Sequence, residues 1–562
     1  MSKSIARSTA SSGPALITWN RAFRLMTGLL FFYGAWLRWT DGFVAITTPD
    51  SFEYLQGALT GDLSQVAWRS FPYPLFLKLC IEHLGGFGAV LVLQKLFGLT
   101  AAALTFAAWM KVKATIRYTQ WGGRLHDSFG LLLLAMMLLS YGSTRYFEQS
   151  IMLESASTLA LAALVFGASG LFVAFRRSPS VQVVAIWVGL TIGISLFANA
   201  LNPRFSPAVF LAFSFAAISL HRVGAGLWQS LAAILVPVLL AVPLLILPQR
   251  PLDQRNIWNR TFVPMHFLFM HARLVLPEIE RDRDDPMFTR YDRSFLKEFS
   301  GAIEDEFSRA AHDGPGGNYT LLYDPNRLLW GRAGELLRSY ARDSASRYNE
   351  FCGYYFKRAL WHNPLGYAQK VMYEWVYLLR PSGPVLDDSW EDLPLAAGLA
   401  WGAGNSGIFV ERSRPSIRPV FAAYQAQLAD KSGYSGVVFR TPFPLNHLGL
   451  WVNRGFSLLW LVVLGFAGFC LWRKRADPGL TILCLVFLGS SIFLFAQLAP
   501  LAFVTTTCGA RAIQGLRVLL AFVTVDLGLM SFFLLTTLMG RRHWLLCPFT
   551  EPGDGKSFQP PA

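Results

Sequence analysis

Apolar windows of about 20 residues, the length that crosses the hydrocarbon of a bilayer, recur along this chain. They fall near residues 22–40, 86–110, 128–147, 152–175, 183–200, 206–220, 227–247, 451–472, 479–503 and 514–539. The pattern predicts ten membrane-spanning helices; the third and sixth windows are the weakest, being short or interrupted by polar residues. Two polar stretches stand apart. Residues 41–85 make a first loop, and residues 248–450 are too long for a loop and read as a domain of their own. Within that domain, residues 332–361 and 364–379 have a helical pattern, and residues 313–317 form a Gly/Pro-rich connector. The expected fold is a polytopic α-helical membrane protein. Residues 1–21 are a tail, 22–247 a seven-span module, 248–450 a mainly α or α+β domain, 451–540 a three-helix module and 541–562 a second tail. The chain has no evident internal repeat. Seven spans, a domain and three spans are lopsided, whereas a secondary transporter usually has two related halves.

Composition agrees with the pattern. Hydrophobic residues make up 53% of 562 positions and charged residues 15%, against roughly 25% charged in soluble domains; mean hydropathy is +0.37. The net charge of +15 raises nucleic acid as a partner, but no Lys/Arg-rich stripe interleaved with aromatics is present, which excludes that class. The basic residues instead cluster in short loops. With the N-terminus inside, Lys111–Arg124, Arg176–Arg177, His221–Arg222, Arg473–Arg475 and Arg541–Arg542 all fall on the inside, as basic loops should. That orientation places both termini in the cytoplasm and residues 41–85 and 248–450 outside a bacterial cytoplasmic membrane. Lys3, Arg7, Arg21 and Arg24 precede or open the first window without a small-residue cleavage site, which reads as an uncleaved signal anchor. The six cysteines (Cys80, Cys352, Cys470, Cys484, Cys508 and Cys547) are scattered singly, so neither a zinc site nor a disulfide framework is indicated.

The first loop carries the most chemistry. In Thr47-Thr48-Pro49-Asp50-Ser51-Phe52-Glu53-Tyr54, Pro49 suits a helix start and Asp50 and Glu53 fall in the first turn. Asp50, Glu53 and Tyr54 share a helical face. Asp50 is either a first-turn charge or a carboxylate placed to accept a proton from an attacking hydroxyl. Next comes Trp68-Arg69-Ser70-Phe71-Pro72-Tyr73-Pro74-Leu75, whose prolines favour extended backbone. Arg69 reads as a headgroup anchor or as a phosphate clamp, since a guanidinium grips phosphate oxygens in pairs. Residues 75–84 read as an interfacial amphipathic helix with Lys78 and Glu82 on its polar side.

Asp50-Ser51-xx-Tyr54 after the first span, followed by Arg69-xx-Pro72-Tyr73-Pro74-Leu75-Phe76, resembles the first outside loop of the GT-C superfamily. That superfamily includes protein mannosyltransferases, the aminoarabinose transferase of lipid A and arabinofuranosyltransferases. Gln94, Met152-Leu153-Glu154-Ser155 and about seven helices before a large domain also fit, over residues 40–220. The resemblance implies a polyprenyl-phosphate-sugar donor entering from the outer leaflet, Asp50 as base and Arg69 as a ligand of the donor phosphate. Glu53 does not match the paired acid that adjoins the catalytic Asp in some members. No cofactor is therefore assigned, and a divalent cation (Mg2+ or Mn2+) stays open. Arg511 resembles the carboxy-terminal helix Arg that approaches the lipid phosphate, or else is an interfacial anchor.

Charges inside or at the ends of spans carry functional hypotheses by default. Lys95 either neutralises a phosphate or belongs to a buried ion pair. Arg145, Glu148 and Glu154 flank one outside turn, where they form a structural pair or line the site, and Arg204 sits in the next. Asp50 and Glu53 are the candidates for catalysis, Tyr54, Tyr73, Arg145 and Glu154 those for substrate contact, and Arg69, Lys95, Arg204 and Arg511 those for the donor phosphate. Asp526 pairs with Lys95 or Arg517. His266 and His271, five residues apart, do not share a helical face and read as structural. The expected reaction is an inverting displacement onto a glycan, lipid or protein acceptor, with polyprenyl phosphate leaving under cationic stabilisation. The rival readings are a transporter or flippase of lipid-linked intermediates, and a polysaccharide polymerase or ligase dependent on outside arginines.

Overall fold

The computed structural model describes residues 14–63, 70–140, 145–177, 180–246, 248, 257–314, 322–342, 344–379, 392–429, 443–473, 477–504, 516–541 and 544–546. Among them there is no β-strand; isolated backbone bridges join Ile46 to Ser150 and Tyr118 to Leu546. The chain opens with α1 (Pro14–Thr40), α2 (Pro49–Thr60), α3 (Pro72–His83), α4 (Phe87–Lys113) and α5 (Gln120–Leu139). The one-turn α6 (Tyr146–Gln149) precedes α7 (Glu154–Arg177), α8 (Val181–Leu201), α9 (Ser206–Arg222) and α10 (Leu227–Ala241). Then come α11 (Ile257–Phe269), α12 (Ala272–Asp284), α13 (Arg293–Asp313), α14 (Pro325–Trp330), α15 (Arg332–Ala341) and α16 (Ala345–His362). The last elements are α17 (Pro364–Leu379), α18 (Asp392–Arg412), α19 (Arg418–Ala429), α20 (Phe443–Trp472), α21 (Pro478–Val504) and α22 (Arg517–Leu538).

Among the described residues, nine helical stretches are long and apolar enough to cross a membrane. They correspond to every predicted window except the first, and the chain is a polytopic α-helical membrane protein. α1 falls short of that measure because Arg24 and Arg38 interrupt its apolar run, although Leu25, Phe32, Trp36 and Trp39 on it are exposed. The third predicted window, 128–147, is displaced. α5 starts at Gln120, where the Thr119 hydroxyl accepts from the Gly122 N–H at 3.1 Å, and it ends before Ser140. The polar turn holding Arg124, His126 and Asp127 is thus the first third of the helix, and it hid the start from a hydropathy window. The predicted helix at 332–361 is two helices, because Arg342 takes a left-handed cap at φ 48° and Ser344 caps a new start.

The two ends of the bundle carry different polar clusters. At one end the N–H of Trp19 donates to Asp127 at 3.2 Å, Lys113 pairs with Asp127, and Lys111 lies over the Phe166 and Trp187 rings at 3.8 and 3.9 Å. Tyr118 bridges Leu546 at this same end. The opposite end gathers the C-termini of α1 and α5 and the N-termini of α4 and α7, and carries the candidate site.

The region read as one domain, 248–450, separates into two packing units. Helices α11–α16 enclose a core of their own around Phe269, Phe299, Phe351 and Tyr355. Helices α18 and α19 contribute Phe409, Phe421, Tyr424 and Leu428 to the core of the bundle. Between the units, the buried Lys370 on α17 donates to the Ala502 carbonyl at 2.7 Å, satisfying a carbonyl near the C-terminus of α21.

Candidate functional site

The site is built on residues 41–48, the strip between α1 and α2. Its backbone is held from two sides, which satisfies polar groups that water would otherwise have to serve. From one side, the Ile46 N–H donates to the Gln149 carbonyl and the Ile151 N–H donates to the Ile46 carbonyl, both at 2.9 Å. From the other, α19 lays Tyr424 against the strip. The Tyr424 hydroxyl lies 2.9 Å from the Thr47 hydroxyl and donates to the Ala45 carbonyl at 3.0 Å. Gln427 donates to the Phe43 carbonyl at 3.2 Å.

Thr48 then caps α2. Its N–H donates to the Ser51 hydroxyl at 2.9 Å, and Pro49 takes the first helical position, where no N–H is needed. Asp50 therefore occupies the first turn, half-buried, among backbone N–H groups and at the positive end of the helix dipole. Glu53 is half-buried one turn on, and Tyr54 is buried. α2 ends at Gly61, whose φ of 79° provides the left-handed cap.

Three of the predicted substrate residues meet beside this helix. The Tyr54 and Tyr73 rings pack edge-on with centroids 5.1 Å apart. Burial, reinforced by Tyr54 and Glu154, pushes the Tyr73 hydroxyl well above the usual tyrosine range, so it stays protonated and can donate. Glu154 opens α7, two residues after Met152, whose sulfur lies 3.8 Å from the Thr48 hydroxyl. Helix α18 covers α2: Phe52 stacks on Phe409 at 5.9 Å, and Arg412 lies over the Phe52 ring at 5.2 Å. Arg414 pairs with Glu82, and its backbone N–H donates to the Leu59 carbonyl at 3.1 Å.

Behind the strip lies a buried charge cluster. Arg38 pairs with Glu148 at 2.7 Å and donates to the Leu138 carbonyl at 2.9 Å. Arg145 reaches both Asp41 oxygens, at 2.7 and 2.9 Å. Gln149 donates to the Asp41 carbonyl at 2.7 Å. Lys95 donates to the carbonyls of Arg38 and Gly42, and Gln94 donates to the Ser150 carbonyl at 2.9 Å. Lys95 and Arg145, expected at donor phosphate and substrate, are thus turned inward to hold residues 38–42. The pairing of Arg145 fits the structural alternative for that turn, with Asp41 as its partner.

Arg204 stands exposed on the turn between α8 and α9 at this end of the bundle. Arg69 and Arg511 lie outside the described residues. Asp526 makes no ion pair with Lys95 or Arg517 among the described residues. It is buried in mid-α22, while Arg517 lies over the Phe147 ring at 5.1 Å. His271 is buried, with Nδ1 3.0 Å from the Phe267 carbonyl. No group of three or more His, Cys, Asp or Glu side chains among the described residues is placed to hold a metal.

Sequence reasoning missed Arg38, Asp41, Thr47 and Tyr424. For the first two a signal existed: a charge inside the first apolar window and another immediately after it, the pattern that marks function or pairing. Comparison with protein-family models, with curated proteins and with solved structures finds no match.

Proposed function

We propose that the chain is a membrane glycosyltransferase that moves a sugar from a polyprenyl-phosphate donor to a cell-envelope acceptor by inverting displacement. Its site would face the outside of a bacterial cytoplasmic membrane, as the basic-loop pattern suggests. The observation that carries the reading is the half-buried Asp50 carboxylate in the first turn of α2. It opens α2 directly after a strip fixed from both sides, on the helix that carries Tyr54, whose ring packs on Tyr73, and that α18 covers at Phe52. In this reading Asp50 takes the proton of the acceptor hydroxyl as it attacks the anomeric carbon. The bond to the phosphate oxygen breaks, and polyprenyl phosphate leaves as an anion. Arg69, Arg204 and Arg511 are the candidates to stabilise that anion, and Tyr73 is the candidate to donate a hydrogen bond to substrate. Lys95 and Arg145 act at one remove, as positioning residues for the strip.

The test is transfer in native membranes together with mass spectrometry of lipid that copurifies with the protein. A bound polyprenyl-phosphate-sugar and a loss of about 10²–10⁴-fold in transfer for Asp50→Asn, the usual span for a general base, are expected. Wild-type transfer by a folded Asp50→Asn protein would sink the assignment. Arg412 and Arg414 flank α2 and favour the polysaccharide polymerase or ligase as the second reading. Tolerance of Asp50→Asn with loss of function at these arginines would select it.

A further inference from the structure

Helix α17 (Pro364–Leu379) has the polarity of a helix in water turned inside out. Its buried side chains include Lys370 and Glu374, one turn apart, whereas Leu365, Met372 and Tyr373 are exposed. In a water-soluble unit Lys and Glu are almost never fully buried, and large apolar side chains take the inner face. Charge turned toward protein, with apolar surface turned outward, is the arrangement that hydrocarbon demands.

The packing of α17 fixes its depth. Its first turn belongs to the α11–α16 unit, where Tyr367 lies in the core and stacks on His271 at 5.1 Å. From there the helix runs antiparallel along α21. Lys370 donates to the Ala502 carbonyl at 2.7 Å, and further along the Trp375 ring packs on Phe495 at 4.1 Å. The span-length part of α21, Pro478–Phe503, has 26 residues and no Asp, Glu, Lys or Arg. A hydrocarbon core needs about 20 residues, and it includes Phe495 wherever it falls along that stretch. Trp375 is therefore level with acyl chains.

Yet α17 does not cross. Its 16 residues make about 24 Å of helix, short of the roughly 30 Å of hydrocarbon. The chain on both sides of it is also held at one end of the bundle. Before it, the α11–α16 unit meets the end of α21 through Phe267 and Phe503. After it, α18 packs on Phe52 of α2, and α19 holds residues 41–48 through Tyr424.

We propose that α17 is a re-entrant helix, lodged in the leaflet on the side of the candidate site, with Met372 and Tyr373 against acyl chains. Lys370 anchors it to the last turn of α21. Lipid is the occupant of the outward face because that face continues the surface of a span: Ile492, one turn from Phe495, and Leu485 are also exposed. The stretch 248–450 is then divided by a membrane-lodged segment. This topology is independent of the reaction proposed above.

Hydroxyl-radical footprinting of the full-length protein in phosphatidylcholine nanodiscs tests it, with Met287 of the α11–α16 unit as internal reference. Met287 and Met372 are 85% and 55% exposed, so in water the two would oxidise at rates within about twofold. In lipid, Met372 should oxidise at least about tenfold more slowly than Met287, because the hydrocarbon holds no water. A diazirine on the acyl chain of the phosphatidylcholine should label residues 365–373 as it labels the peptide holding Leu485 and Ile492. Similar oxidation of the two methionines would overturn the proposal. So would protection of Met372 without acyl-chain label, or with crosslinks between copies through residues 365–373, which would give the face to a second copy.

Discussion

Gly98 shows how a single residue governs the buried charges. It lies on α4 against the Arg38–Glu148 pair, and a Cβ there would run into the Glu148 carboxylate. Gly98→Ala is therefore expected to destabilise the protein by about 1–3 kcal/mol, the usual cost of overpacking a filled interior. Glu148→Gln should cost about 3–5 kcal/mol, because it leaves the Arg38 guanidinium buried without its counter-charge. Thermal unfolding in detergent measures both, and wild-type unfolding for Gly98→Ala would contradict the close approach. A second residue-scale prediction concerns His271. Burial, with Lys370 nearby, depresses it from 6.5 to about 3. The unfolded chain thus binds a proton that the folded chain refuses in the window between those values. Stability carried by α11–α16 is full above about pH 6.5 and falls as pH drops toward 3, by up to about 1.4 kcal/mol per pH unit. His271→Phe should flatten this slope in pH-dependent unfolding monitored through the tryptophans or by hydrogen exchange.

At the scale of elements, the contact between α19 and residues 41–48 is the informative one. Tyr424→Phe removes hydroxyl contacts to Thr47 and Ala45 and should cost about 1–2 kcal/mol. Gly402→Ala would place a Cβ 2.7 Å from the Thr47 hydroxyl and 3.3 Å from that of Tyr424, pressing α18 away from the strip. Both variants should raise hydrogen exchange at residues 43–54 more than in α11–α16; an equal rise across the molecule would mean that α19 does not hold the strip. Much at this scale was legible in the chain. Long apolar runs between basic loops specify spans almost regardless of partners, and Pro49 with Asp50 specifies the start of α2. The start of α5 was not legible, because its first turns carry Arg124, His126 and Asp127 and resemble a loop in a hydropathy window. Nor were the pairs Arg38–Glu148 and Arg145–Asp41. Charges more than 100 positions apart have no local pattern that records which will meet. For the same reason Lys95 could be read as a phosphate ligand or as half of a buried ion pair, and neither reading named the carbonyls of Arg38 and Gly42 that it meets.

For the whole molecule, α17 joins two units with separate cores, with Tyr367 in one and Trp375 against the other. Lys370→Met should loosen the last turn of α21, whose carbonyl it satisfies. The expected sign is faster exchange near residues 498–503 with the interior of α11–α16 unchanged; faster exchange throughout α11–α16 would show that the units share one stability.

The double grip on residues 41–48 also bears on biosynthesis. Ile46 waits for Ser150, and Thr47 waits for Tyr424, a hydroxyl partner 377 positions later. Such long loops close late, because their chain entropy must be spent before any contact rewards it. A nascent chain with its first spans already inserted would thus hold Asp50 on an unsecured strip. On the proposed reading, competence would arrive only after residue 424 has been made and α19 has docked, so a chain truncated before α18 should insert and remain inert.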